Sequence, residues 1–129
     1  MTHIESDGQW IFLNDIFLIV SSANVGRMRM KHKVNLGDGG NDEMLKAIRA
    51  QGNYIEYAPM ALIGLAATAL LGGGVMLINI LGGAFLLARI AYFAEMGLGA
   101  FSKGRTLGTM LTMLTLLATA IALIFLAVT

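Results

Sequence analysis

IRAQGNYIEYAP, residues 48–59, decides how this chain is read. It sets Arg49, Gln51, Asn53 and Glu56 immediately before residues 57–88, which contain no Asp, Glu, Lys or Arg. A second charge-free stretch runs from Thr106 to Thr129, and residues 8–26 hold a single charge, Asp15. Charged residues make up 13% of the chain, against about 25% in soluble domains. A helix needs about 20 mostly apolar residues to cross a bilayer. The tail therefore supplies one span. The 57–88 stretch is too long for one, and Gly72-Gly73-Gly74 divides it between two spans joined by a tight turn. With the N-terminal stretch the expectation is an all-α membrane protein: one domain, a four-transmembrane-helix up-down bundle with spans at about 10–27, 44–71, 75–97 and 105–128.

The nine basic residues are segregated. Arg27, Arg29, Lys31, Lys33, Lys46 and Arg49 flank the first inter-span loop, Lys103 and Arg105 flank the third, and Arg89 stands alone within a span. Lys and Arg are retained on the cytoplasmic side, so an N-out, C-out topology is expected. No cationic region precedes the first apolar stretch, so no signal peptide is expected. Without cysteine, disulfides, thiolate metal sites and a cysteine nucleophile are excluded. No phosphate-binding loop or nucleic-acid module is present. His32 has no second histidine nearby, and no metal is expected. Lys31, His32 and Lys33 read as a solvated, orientation-setting patch that touches membrane lipid. Asp15 reads as an outer-interface residue and Trp10 as an interfacial anchor. Asn41 or Asp42 caps the second helix, and Pro59 falls inside it, where one backbone hydrogen bond is lost and a kink is expected.

Arg49, Asn53, Glu56 and Tyr57 follow one another at i, i+4, i+7 and i+8, so they share one face of the second helix. Arg89 and Tyr92 sit at i, i+3 on the third. A charge at the depth of Arg89 is paired or faces a wet cavity. One reading pairs it with Glu56 as a buried interhelical ion pair. The other notes that Arg29, Arg49, Arg89 and Arg105 outnumber the acids near them, which favours an anionic ligand held through bidentate arginine contacts. Asn53, Tyr57 and Tyr92 add neutral hydrogen bonds, and Glu56 can hold an ammonium. The ligand so described is small, polar and zwitterionic with excess negative charge. On the fourth helix, Gly104, Gly108, Thr112, Thr115 and Thr119 form one small-residue stripe, read as a packing face.

VGRMRMKHKV (25–34), IRAQGNYIEYAP and LLARIAYF (86–93) resemble the MAPEG family, the membrane-associated proteins of eicosanoid and glutathione metabolism. GDGG (37–40) is most similar to its bacterial inner-membrane branch. The resemblance covers essentially the whole chain. It implies a homotrimer with glutathione as co-substrate, bound between subunits near the cytoplasmic side, and a hydrophobic second substrate arriving through the bilayer. Arg29, Arg49, Gln51, Asn53, Glu56, Tyr57, Arg89 and Tyr92 would bind glutathione. Arg105 would stabilise its thiolate, a role that Lys103 takes under a two-residue shift. Met96 and Met30 depart from the family pattern, where several relatives carry Tyr at the first position and one relative carries a second consecutive Arg at the other. The expected activity is a glutathione transferase or peroxidase. The rival readings are a small four-span transporter and a MAPEG-fold protein that binds glutathione without turnover.

Overall fold

The computed structural model describes all 129 residues and contains four helices: α1 (His3–His32), α2 (Asp42–Leu70), α3 (Val75–Met96) and α4 (Gly104–Val128). α1 begins earlier and ends later than the expected span at 10–27, because local signals set helix ends and the bilayer sets only the apolar part. Thr2 and Glu5 form a reciprocal capping box, which satisfies amides that would otherwise be orphaned. Lys33 closes the helix in a left-handed conformation at φ 56°. At 30 residues, α1 is about 45 Å long. α2 starts as expected, with Asn41 Oδ1 accepting from the Met44 amide at 2.9 Å. It runs without interruption past Pro59. Gly72, at φ 82°, then reverses the chain in a conformation that a β-carbon disfavours.

α1, α3 and α4 are each long and apolar enough to cross a membrane. α2 is not among them, since Asp42, Glu43, Lys46, Arg49 and Glu56 all lie in its first half. It nevertheless covers the same distance between the two ends of the bundle. At one end Ser6 of α1 meets Asn79 of α3. At the other, Asn24 of α1 donates to the Gly97 carbonyl after α3, and Lys31 pairs with Glu43 of α2. Successive helices therefore run in opposite directions. α2 and α3 form the centre: each touches every other helix, whereas α1 and α4 do not touch.

The buried clusters mix large side chains with alanine. Leu65, Ala69, Ile78 and Leu81 form one cluster, Tyr54, Ala58, Ala61 and Phe85 a second, and Met28, Met44 and Ala47 a third at the basic end. In lipid there is no hydrophobic drive between helices, so close approach of small residues holds them together. The stripe on α4 does this. Gly104, Gly108, Thr112, Thr115 and Thr119 are its five buried residues, and a methyl group on Gly108 would lie 2.5 Å from the Ala88 carbonyl oxygen. The threonine hydroxyls bond mainly backwards within α4, to Gly108, Leu111 and Thr115 carbonyls at 2.7–2.8 Å, rather than across to neighbouring helices.

Trp10, the expected interfacial anchor, is seated against α3. Its indole packs against Gly82 and Gly83 of α3, where no β-carbon stands in the way, and Nε1 donates to Asn79 Oδ1 at 3.0 Å.

Candidate functional site

The polar face of α2 forms as its spacing requires, but its charges pair differently from one of the two readings. Arg49 and Glu56, two turns apart on the same helix, lie 3.2 Å from each other and are about half exposed, at 46% and 54%. The interhelical Glu56–Arg89 pair does not form. Rotation explains this: the outer edge of the α2 face keeps Glu56 beside Arg49, while Asn53 and Tyr57 turn toward α3.

Arg89 is instead held without any carboxylate. Only 1% exposed, it donates to Asn53 Oδ1 on α2, to Thr112 Oγ1 on α4 at 2.5 Å and to the Gly108 carbonyl at 3.3 Å. Its guanidinium carbon lies 5.2 Å from the ring centre of Tyr92 and 5.5 Å from that of Tyr57, within the range of cation–π attraction. Nε is buried and has no partner. A membrane-embedded cation is expensive unless paired or facing a wet cavity, and here only dipoles and ring faces offset its charge.

In front of this cation lies a recess of about 360 Å³ lined by Asn53, Tyr92, Arg105, Thr106, Thr109 and Met110. Three helices thus bring three of the expected residues to one place. Arg105 lines the recess, whereas Lys103 occupies the cap position before α4 and does not. Tyr57 and Arg89 stand behind Asn53 and Tyr92, and Arg49 and Glu56 flank them on α2.

Gln51 and Arg29 fall elsewhere. Two residues along a helix turn the side chain by about 200°, so Gln51 points away from Asn53 and donates to Ser22 Oγ of α1 at 2.7 Å. Arg29 closes the loop after α1 through the Val34 and Gly37 carbonyls at 3.4 and 2.9 Å. Met96 lines a different recess, beside Arg27 and Lys46. The Lys31–Lys33 patch is not simply solvated: Lys31 Nζ and His32 Nε2 both reach Glu43, at 3.2 and 3.1 Å. The Lys31 hydrogen bond, then that of His32, holds the Glu43 carboxyl below its ordinary value of 4.5.

Two residues of consequence escaped sequence reasoning. Glu95 Oε2 accepts from the Arg105 amide at 2.5 Å, capping a helix that has no side-chain cap of its own. Its signal was that no other carboxylate follows residue 56. Tyr54 donates to the carbonyl and Oδ1 of Asn14 at 3.1 and 3.0 Å, tying α2 to α1. The signal there was an asparagine inside an apolar stretch.

The site is therefore cationic, with Arg49, Arg89 and Arg105 against the carboxylates of Glu56 and of Glu95, which bonds the Arg105 amide, and it carries phenol and amide donors. That suits a small dianion bearing one ammonium. The sequence model of the MAPEG family matches residues 8–125. The inner membrane protein YecN of Escherichia coli strain K12 is 33% identical over 81 residues, 63% of this chain and 62% of that protein. YecN of a second Escherichia coli strain, O6:H1, gives the same figures. The chain thus aligns with less than two thirds of the length of these relatives. No solved structure matches it.

Proposed function

This chain belongs to the MAPEG family and is an integral inner-membrane protein, and from that premise we propose that it is a glutathione-dependent transferase or peroxidase acting on hydrophobic electrophiles. The observation that carries the proposal is Arg89: a buried guanidinium with no carboxylate partner and an unpartnered Nε, held behind Asn53 and Tyr92, which line a recess together with Arg105. The carboxylates of glutathione supply the missing negative charge. Arg49 and Arg89 bind them, Asn53, Tyr57 and Tyr92 add hydrogen bonds, and Glu56 holds the ammonium.

Arg105 lies at the mouth of the recess and stabilises the thiolate, since a cation beside a thiol lowers its pKa. The thiolate attacks the electrophile, forming a carbon–sulfur bond as the leaving group departs with its electron pair. In peroxide reduction, two glutathione thiols yield the disulfide, an alcohol and water. The acceptor reaches the site from the bilayer and glutathione from the cytoplasm, the side assigned to the basic end.

The family resemblance also assigns Gln51 and Arg29 to glutathione, which would require a site shared between copies. They face away from the recess of their own chain, so one ligand touching both sets lies at a boundary between subunits. A homotrimer is the assembly proposed. The Arg49–Glu56 pair also weighs against a cation transporter, because the deep carboxylate already has a cation beside it.

The test is thermal unfolding of the purified protein with millimolar glutathione, together with thiolate ultraviolet absorbance. Wild type should be stabilised and show the absorbance. Arg49→Ala should lose most of the stabilisation, and Arg105→Leu should keep the stabilisation but lose the absorbance. Neither signal in wild type overturns the proposal. Stabilisation without turnover on electrophile and hydroperoxide panels leaves a glutathione-binding protein that is not an enzyme.

A further inference from the structure

A second recess, of about 420 Å³, opens at the basic end between the end of α1, the start of α2 and the turn after α3. It shares no lining residue with the first. Arg27, Lys31 and Lys46 face Glu43 and Glu95 across it. Both carboxylates are engaged: Glu43 by Lys31 and His32, Glu95 by the Arg105 amide. Arg27 reaches only the side-chain oxygen of Asn24, at 2.8 Å from Nη2, and Lys46 takes part in no ion pair. With Lys31 paired to Glu43, Arg27 and Lys46 share the recess with the single remaining carboxylate of Glu95, so this concave site is net cationic by one.

The position of the recess selects the ligand. Arg27 ends the stretch of α1 whose only charge is Asp15, and the turn at Gly97–Gly99 ends α3, so the recess lies at the level of the lipid headgroups. Met28 and Met96 form part of its wall. Leu98 on its rim and Phe101 just beyond are 57% and 48% exposed, an apolar approach suited to acyl chains. We propose that this recess binds the phosphate group of an anionic phospholipid, with Arg27 and Lys46 as its ligands. Basic pockets between helices on the cytoplasmic side hold such headgroups. The proposal does not depend on the glutathione reading.

The experiment is native mass spectrometry of the full chain in detergent, titrated in parallel with phosphatidylglycerol, phosphatidylcholine and inorganic phosphate. Phosphatidylglycerol should bind, phosphatidylcholine should not, and affinity should fall about fivefold for each of Arg27→Gln and Lys46→Gln. Arg27→Lys should restore most of the loss at that position. Lys33→Gln, which removes a cation outside this recess, should leave binding unchanged. The proposal is overturned if the two lipids bind alike, if Lys33→Gln weakens binding as much as Lys46→Gln, or if inorganic phosphate binds as well as the lipid. Each single variant is read separately, so failure of one to fold leaves the other decisive.

Discussion

The guanidinium of Arg89 and the hydroxyl of Thr112 meet at 2.5 Å across the seam between α3 and α4. Thr112 itself donates back to the Gly108 carbonyl at 2.8 Å, so its oxygen is free to accept from Arg89. Thr112→Val keeps the shape and removes that acceptor. Leaving a buried charged donor short of a partner costs about 1–3 kcal/mol. Unfolding in detergent should show a loss of that order, and Thr112→Ser should recover most of it. A fully stable valine variant would mean that Asn53 and the Gly108 carbonyl suffice.

Gly108→Ala tests the close approach of the same two helices. The added methyl group would stand 2.5 Å from the Ala88 carbonyl oxygen and 2.9 Å from the Tyr92 amide nitrogen. Backbone atoms cannot yield as a side-chain end would, and overpacking of this kind costs about 1–3 kcal/mol. Gly26→Ala, where nothing lies within 4 Å, serves as the control. Both are read as melting temperature in the same detergent.

Glu95 should matter to the start of α4 rather than to the whole bundle. Losing a helix cap costs about 1 kcal/mol. Glu95→Ala should therefore speed amide exchange at Arg105 and its neighbours, while Glu95→Gln, which keeps an acceptor oxygen, should stay near wild type. Uniform loss of protection along all four helices would contradict a local capping role.

Acid should weaken the contact between the end of α1 and the start of α2. Because the folded protein holds the Glu43 carboxyl below its ordinary value of 4.5, the stabilisation is complete above that value and fades as pH falls through it and below. Wild type should lose melting temperature on going from about pH 6 to about pH 3 more steeply than Glu43→Gln. The pair is exposed, so the difference should shrink as salt is added.

Features set by one helix alone were legible in the sequence. The Asn41 cap, the reversal at Gly72 and the buried stripe of α4 all follow from local chemistry or from periodicity, and the structure reproduces them. The shared α2 face of Arg49, Asn53, Glu56 and Tyr57 follows as well. Partners between helices did not follow in the same way. The position of Arg89 was clear, but whether it met Glu56 or Asn53 and Thr112 depends on how α2 and α4 rotate against α3. No periodicity encodes that rotation. The direction of Gln51 was legible too, since helical geometry alone puts it opposite Asn53. The seat of Trp10 was not legible, because Gly82 and Gly83, which make it, come some seventy residues later in the chain.

The central place of α2 bears on how the protein is made. α2, which like α3 touches all the other helices, carries five charged residues in its first half, Arg49 and Glu56 deepest among them, and a charge such as Asp, Lys or Arg at mid-bilayer disfavours insertion by about 2.5–3.5 kcal/mol. Its partners are α1, already synthesised, and α3 and α4, still to come. A nascent chain halted at Gly72 would present the translocon with a segment that has little reason to leave it. Release of α2 into lipid then waits for α3, and the hairpin at Gly72–Gly74 becomes the unit of integration.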